Sequence, residues 1–301
     1  MNDKPLAGVI VPVITPVDEW DRVDVKAFRK VLRRLIDAGV HGIFVGGSAG
    51  EGPLLSAPAW RCMMETACDE VGRQTALLGG VSDTSTARMV EKIEILRSIG
   101  FDRFVVTPSF YLSLKTPREH LRLFGRAREV GGDMEMIAYN IPQCVGSILA
   151  VETICEMAQR GWIRCCKESS GDLSYLKRLI AEGRQYNLDV LVGDELCIAE
   201  GLRAGGKGIV PVCANFDPGL FLRTVRAATE GNLAELQKLQ QRIIDVRNVL
   251  VVAGPCWLAG IKYSLSSLGM GSGKPVSPLE PTPKEQVAKI DELIRKDYAD
   301  A

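Results

Sequence analysis

Trp162-Ile163-Arg164-Cys165-Cys166-Lys167-Glu168-Ser169-Ser170-Gly171-Asp172 runs a short apolar strand straight into a polar turn. Lys167 stands at the junction. The pattern puts its stem in a dry sheet or barrel and its amine at the rim. Desolvation disfavours the ammonium form and lowers the pKa, which frees the amine as a nucleophile. Bringing a lysine from about 10.4 to a working value of about 7–8 takes roughly 4 kcal/mol. An amine so tuned suits attack on a carbonyl to form a Schiff base. A lysine alone is ordinarily a solvated surface charge, so this reading depends on what surrounds it.

Outward from that strand the same unit repeats. Apolar, β-branched runs fall at Gly8–Thr15, His41–Gly46, Thr75–Val81, Phe101–Thr107, Met134–Tyr139, Ile163–Lys167, Asp189–Gly193 and Gly208–Val212. Between them lie amphipathic stretches at Val25–Ala38, Ala57–Val71, Thr84–Ser98, Pro117–Val130, Val151–Gln159, Leu173–Glu182 and Leu196–Ala204. Pro58 and Pro117 mark helix starts; Gly39, Gly100, Gly131, Gly161 and Gly205 mark helix ends. Strands apolar on both faces that alternate with helices imply a parallel sheet covered by helices. Eight such units predict an α/β fold of the (β/α)8 TIM-barrel type over residues 1–230, catalytic in function. Leu233–Val252, Trp257–Leu268 and Pro283–Tyr298 then predict a C-terminal three-helix extension, residues 231–301, packed on the barrel. A doubly wound sheet is the alternative, disfavoured because no dinucleotide fingerprint is present.

Composition narrows the function. Of 301 residues, 46% are hydrophobic and 25% charged, and the 37 basic residues balance the 37 acidic ones. With no basic stripe, no nucleic-acid surface is expected. Met1–Pro5 leads polar into an apolar segment without a basic flank or cleavage site, so no signal peptide is read, and no apolar run reaches the ~20 residues of a membrane span. Nine cysteines lie mostly in apolar segments without C-x-x-C spacing, which reads as reduced, buried thiols in a cytoplasmic protein. His41 and His120 are the two histidines, too few for a zinc site. Neither metal nor cofactor is expected.

In a (β/α)8 barrel the chemistry gathers at the C-terminal ends of the strands. Those ends present Thr15-Pro16, Gly47-Ser48-Ala49-Gly50-Glu51, Ser82-Asp83, Thr107–Tyr111, Tyr139-Asn140-Ile141-Pro142, Lys167-Glu168-Ser169, Asp194-Glu195 and Val212–Asn215. The glycine loop suits an anion such as a carboxylate, through exposed N–H groups and the Ser48 hydroxyl. Gly46-Gly47-Ser48-Ala49-Gly50 also matches G-x-S-x-G, the nucleophile elbow of α/β-hydrolases. That alternative fails on histidine supply, because His120, the only downstream histidine, lies on a predicted helix in the first half of the chain. Tyr139, one strand from Lys167, reads either as a barrel-core aromatic or as a phenol that shuttles protons. Asp194 and Glu195 read as substrate-hydroxyl acceptors or, for one of them, as a helix cap.

These residues in this order resemble the N-acetylneuraminate lyase/dihydrodipicolinate synthase family of class I aldolases and lyases. The resemblance spans almost the whole chain, from Pro12-Val13-Ile14-Thr15-Pro16 through the segments above to Ala204-Gly205-Gly206 and Lys262-Tyr263. It implies a barrel with a helical tail, a homotetramer of tight dimers, and no cofactor. By that likeness Lys167 forms the Schiff base and Tyr139 is the general acid/base. Ser48 binds the carboxylate with Gly47 and Ala49, and relays protons. Ser169, Glu195 and Val210 fall among substrate-binding positions, and Tyr111 matches a catalytic tyrosine lent across the dimer.

Departures matter as much. The second hydroxyl residue of the family's glycine loop is here Ala49. Dihydrodipicolinate synthases carry an arginine two residues after Tyr-Asn-x-Pro, where this chain has Cys144, preceded by Gln143. Sialic acid lyases grip a polyol chain at positions held here by Glu195 but also by Leu196 and Val212. The expected activity is therefore a Schiff-base lyase taking a 2-oxo acid, pyruvate or a derivative, and an aldehyde, as 2-keto-3-deoxy sugar acid aldolases and dehydratases do. Dihydrodipicolinate synthase, N-acetylneuraminate lyase and a non-catalytic 2-oxo-acid-binding protein are the alternatives.

Overall fold

The computed structural model describes residues 6–298. Met1–Pro5, where the reading of no signal peptide begins, lie outside the described residues, as do residues 299–301. The strands are β1 (Gly8–Pro12), β2 (Gly42–Val45), β3 (Ala76–Gly80), β4 (Arg103–Val106), β5 (Glu135–Asn140), β6 (Cys165–Glu168), β7 (Asp189–Val192) and β8 (Gly208–Ile209). Each pairs in parallel with the next and β8 with β1, closing the barrel and removing the doubly wound alternative. Inside it, Ile10, Phe44, Leu78, Val105, Ile137 and Leu191 form one apolar cluster; outward-facing strand residues such as Val9, Ile43 and Val106 join the larger core under the helices. Alternation along each strand is thus apolar to both sides, as buried parallel strands require.

The helices are α1 (Val25–Asp37), α2 (Ala57–Val71), α3 (Thr86–Ile99), α4 (Pro117–Gly131), α5 (Pro142–Val145), α6 (Val151–Gln159), α7 (Leu173–Gly183), α8 (Ile198–Ala204), α9 (Pro218–Thr229), α10 (Leu233–Arg247), α11 (Ala259–Ser267) and α12 (Lys284–Asp297). Their starts are fixed locally. Asp24, Ser56, Ser85, Thr116, Asp172, Asp217 and Asn232 each accept a first-turn N–H, and Thr116 with Glu119 completes a capping box.

Four stretches differ from the sequence expectation, the first being β1, which ends at Pro12 rather than Thr15. The eighth strand ends at Ile209 rather than Val212, because Pro211 has no N–H for the ladder and Val212–Asn215 turns as a 3-10 helix. Asn215 completes the closure instead: its Oδ1 accepts from Ile14 N at 3.0 Å and its Nδ2 donates to Pro12 O at 3.0 Å. The expected helix Leu196–Ala204 begins as a 3-10 turn, Glu195–Cys197, before α8. The expected helix Leu233–Val252 is α10 followed by a wider, π-helical turn, Asn248–Val252. The sequence reading passed over α5 and α9.

The C-terminal helices reach back over the barrel mouth through one buried ion pair. Glu51, on the glycine loop after β2, receives Lys262 Nζ of α11 on Oε2 and Val276 N on Oε1 at 2.7 Å. Both residues are almost wholly buried. Among the described residues no helix is long and apolar enough to cross a membrane. Removing one partner of such a pair strands a charge, at about 3–5 kcal/mol. Lys262→Met is accordingly expected to lower the unfolding free energy by about that much in urea titrations, and Glu51→Gln added to it should recover part of the loss.

Candidate active site

Parallel pairing sets Tyr139 of β5 directly opposite Lys167 of β6. Both side chains point to the barrel axis at its C-terminal end, and Nζ of Lys167 lies 4.0 Å from the centroid of the Tyr139 ring and 5.1 Å from that of Phe44. Phe44 meets Tyr139 edge-on, with centroids 6.1 Å apart. The amine is therefore flanked by aromatic rings and is 6% exposed. Burial brings its pKa down from 10.5 to about 7. Burial likewise pushes the Tyr139 phenol up, and the hydroxyls of Ser169 and Ser48 partly offset that rise. Ser169 Oγ approaches the phenol without completing a hydrogen bond; it is buried and has no bonded partner among the described residues.

The strand ends are braced around this pair. Asn140 Nδ2 donates to Glu168 Oε1 at 3.1 Å, and Ser170 N donates to the same oxygen at 2.7 Å. Asn140 Oδ1 accepts from Leu149 N at 3.0 Å, and Gln143 Nε2 donates to Ser169 O at 2.5 Å. Gly193, after β7, leaves the room the lysine needs. A Cβ there would sit 1.9 Å from Ser169 Oγ, 2.9 Å from Glu168 O and 3.0 Å from Lys167 Cε.

The amine opens into a cavity of about 390 Å³ at the barrel mouth. Ser48, Ala49, Tyr139, Lys167, Ser169, Glu195 and Val210, all expected site residues, line it together. Gly47 does not; it is tucked beneath the loop with its Cα facing the Phe44 ring, and so shapes the turn. Ala49 packs against Cys256, Leu258 and Ala259 of the C-terminal segment. Tyr111 lies apart from the cavity in the loop between β4 and α4, 88% exposed, with φ +74°. That left-handed backbone is uncommon for an aromatic residue. Cys144 is exposed toward the cavity, and desolvation raises its thiol pKa, so it presents a neutral S–H.

Asp194 and Glu195 divide as the helix-cap reading expected for one of them. Asp194 caps the 3-10 turn, accepting from Leu196 N at 2.8 Å. Glu195 turns inward and is buried, taking Cys213 N on Oε1 at 2.7 Å and Cys213 Sγ on Oε2 at 3.3 Å. Burial raises its carboxyl pKa. Three lining residues escaped the sequence reading: Arg247, Val251 and Trp257, all from the C-terminal extension. Residues 233–252 read as one amphipathic surface helix, and nothing in that pattern distinguishes a cavity-facing arginine from a solvated one.

A buried amine whose pKa falls to about 7 thus lies beside a phenol at the mouth of a closed parallel barrel. The profile of the Dihydrodipicolinate synthetase family matches residues 5–297. A DapA-like lyase of Halobacterium salinarum is 34% identical over 277 residues, covering 91% of this chain and 88% of its own. A 4-hydroxy-tetrahydrodipicolinate synthase of Methanoculleus marisnigri is 27% identical over 290 residues, covering 94% and 97%. The dihydrodipicolinate synthase structure from Bacteroides thetaiotaomicron superposes with a TM-score of 0.90 at 26% identity, covering 97% of this chain and 98% of that one. The chain belongs to the dihydrodipicolinate synthetase family and is a lyase of the class I aldolase type.

Burying the amine has a consequence for stability. Lys167 is protonated below 10.5 in the unfolded chain and below about 7 in the folded one. Between those values the unfolded state binds more protons, so stability rises with pH across that window. Lys167→Met removes the penalty. The variant is expected to be more stable than the wild type by a few kcal/mol (about 2–4) at pH 7. The gap should narrow toward pH 10 when both are titrated with urea.

Proposed function

We propose that this enzyme forms a Schiff base between Lys167 and a 2-oxo acid, then cleaves the acid to pyruvate and an aldehyde, or dehydrates it, in the manner of 2-keto-3-deoxy sugar acid aldolases and dehydratases. The observation that carries the reading is the Lys167 amine, buried at the cavity floor, half-neutral near pH 7 and 4.0 Å from the Tyr139 ring.

The Ser48 hydroxyl and the Ser48/Ala49 backbone hold the C1 carboxylate, and Nζ attacks C2. Tyr139 donates its proton to the departing oxygen, water leaves, and an iminium and a phenolate remain. A free phenol here is reluctant to ionise, because burial raises its pKa. The iminium reverses that preference by placing a fixed positive charge against the ring. The phenolate then takes the C4 hydroxyl proton as the C3–C4 bonding electrons flow to nitrogen, which releases the aldehyde and leaves an enamine. Protonation at C3 and hydrolysis return pyruvate and the amine. Ser169 and Glu195 meet substrate hydroxyls, and Val210 packs on the carbon chain.

Tyr111, exposed together with Leu112 and held at positive φ, is read as the tyrosine lent to a neighbouring subunit in a homotetramer of tight dimers. Strained backbone of this kind persists where function requires it. The nine cysteines are all free, which suits a cytoplasmic location.

A second reading is 4-hydroxy-tetrahydrodipicolinate synthesis, favoured by the names of relatives such as that of Methanoculleus marisnigri. It would give turnover with pyruvate and aspartate semialdehyde in an assay coupled to the reductase, and Cys144 in place of arginine argues for none.

Borohydride with pyruvate is expected to add one pyruvyl mass to Lys167 in the wild type and nothing in Lys167→Ala. The trapping rate should rise with pH to half its plateau near pH 7, because only the neutral amine attacks. A wild type without an adduct, or an adduct that survives Lys167→Ala, sinks the proposal. Tyr139→Phe is expected to lower kcat by about 10²–10⁴ with the fold intact by circular dichroism.

A further inference from the structure

Among the described residues Arg247 is the one cation besides Lys167 at the cavity wall, and it enters from the last turn of α10, away from the strand ends that supply the other charged groups. Its side chain is 24% exposed. Among the described residues its guanidinium makes no hydrogen bond; its one charged neighbour is Glu195 Oε2, 3.8 Å from Nε. That carboxylate is otherwise engaged, since one oxygen accepts from Cys213 N and the other from Cys213 Sγ. A structural ion pair would bring the fork and the carboxylate into bonding geometry, usually bidentate. Here Nε stays 3.8 Å from Oε2 with no hydrogen bond among the described residues, and the residue lines the cavity.

The backbone aims the side chain inward. Arg247 and Val251 both line the cavity, four residues apart across the start of the π-helical turn Asn248–Val252. Such widened turns are rare and recur at functional sites. This one is held from behind by Gln286 of α12, whose Nε2 donates to Val249 O at 3.1 Å and reaches Leu250 O at 3.4 Å.

We infer that Arg247 is a specificity-determining residue that binds a second anionic group, a carboxylate or a phosphate, on the aldehyde half of the substrate. The inference rests on the 2-oxo-acid reading above: C1 and C2 are held at Ser48 and Lys167, and the chain beyond C3 runs toward the C-terminal wall. A planar fork with unbonded donors recognises either oxyanion, and no lysine reproduces its geometry. Cys144 leaves the usual position for a guanidinium neutral, and α10 supplies one from the opposite wall.

Matched acceptors condensed with pyruvate by the full-length protein test this. Succinate semialdehyde against butanal reads a carboxylate, and glyceraldehyde 3-phosphate against glyceraldehyde reads a phosphate; the ratio of kcat/KM within each pair is the measurement. The wild type is expected to favour the charged member of one pair by about 10–10²-fold. Arg247→Met should bring that ratio within about threefold of unity, and Arg247→Lys should retain part of it. The pair that responds tells carboxylate from phosphate. Equal ratios in the wild type and Arg247→Met, or a wild type indifferent within both pairs, overturn the assignment. Either result, obtained while pyruvate still traps on Lys167, leaves the proposed function standing; no wild-type adduct defeats that function instead. If Arg247→Met fails to fold, Arg247→Gln is read by the same ratios.

Discussion

One desolvated nitrogen governs the rest of the site. Lys167 is buried because the strands close into a barrel whose interior is apolar up to the last residue before the mouth, where Phe44 and Tyr139 flank the amine. Among the described residues no acidic side chain pairs with it; burial outweighs the opposing influence of Cys144 and its pKa falls to about 7. A carboxylate within bonding distance would have held the ammonium and abolished the nucleophile. The acids nearby are kept occupied instead: Glu168 by Asn140 and Ser170, Glu195 by Cys213, Asp194 by the turn it caps.

The same burial acts in opposite senses on the two reacting groups. It neutralises the amine by disfavouring its cation and keeps the phenol neutral by disfavouring its anion. Near pH 7 about half of the amine is therefore free base next to an undissociated phenol, the protonation states that the proposed carbinolamine formation would use. Because the amine and phenol share one wall, forming the iminium alters the electrostatics of its partner with no movement of the protein. Preorganised charge of this kind needs no reorganisation at the moment of reaction.

The barrel and its reactive end were legible in the sequence because they follow from short-range rules. Both-face apolar strands recur eight times with amphipathic stretches between them, bounded by Pro and Gly signals, and the strand-end register that sets Tyr139 opposite Lys167 follows from parallel pairing. What stayed hidden depends on long-range contact. Arg247, Val251 and Trp257 reach the cavity because the chain after α9 folds back over the mouth, and a helical period carries no record of that. The π-helical turn that aims Arg247 arises in residues which read as a continuation of α10. The short β8 was visible in principle through Pro211, whose missing N–H stops the ladder, and the strand ends three residues early.

The C-terminal extension is thus part of the active site's architecture as well as of its stability. Glu51 lies three residues past Ser48 on the glycine loop that lines the cavity, and its carboxylate is bonded to Lys262 of α11 and to Val276 N. Ala49, on the same loop, packs against Cys256, Leu258 and Ala259. The glycine loop and the segment running into α11 consequently share one buried contact surface. This contact gives a physical reason for Ala49 in a loop that elsewhere carries a second hydroxyl: a methyl group fits an apolar contact that a buried, unbonded hydroxyl would oppose. With Ala49 the loop trades a side-chain donor for packing against the C-terminal segment.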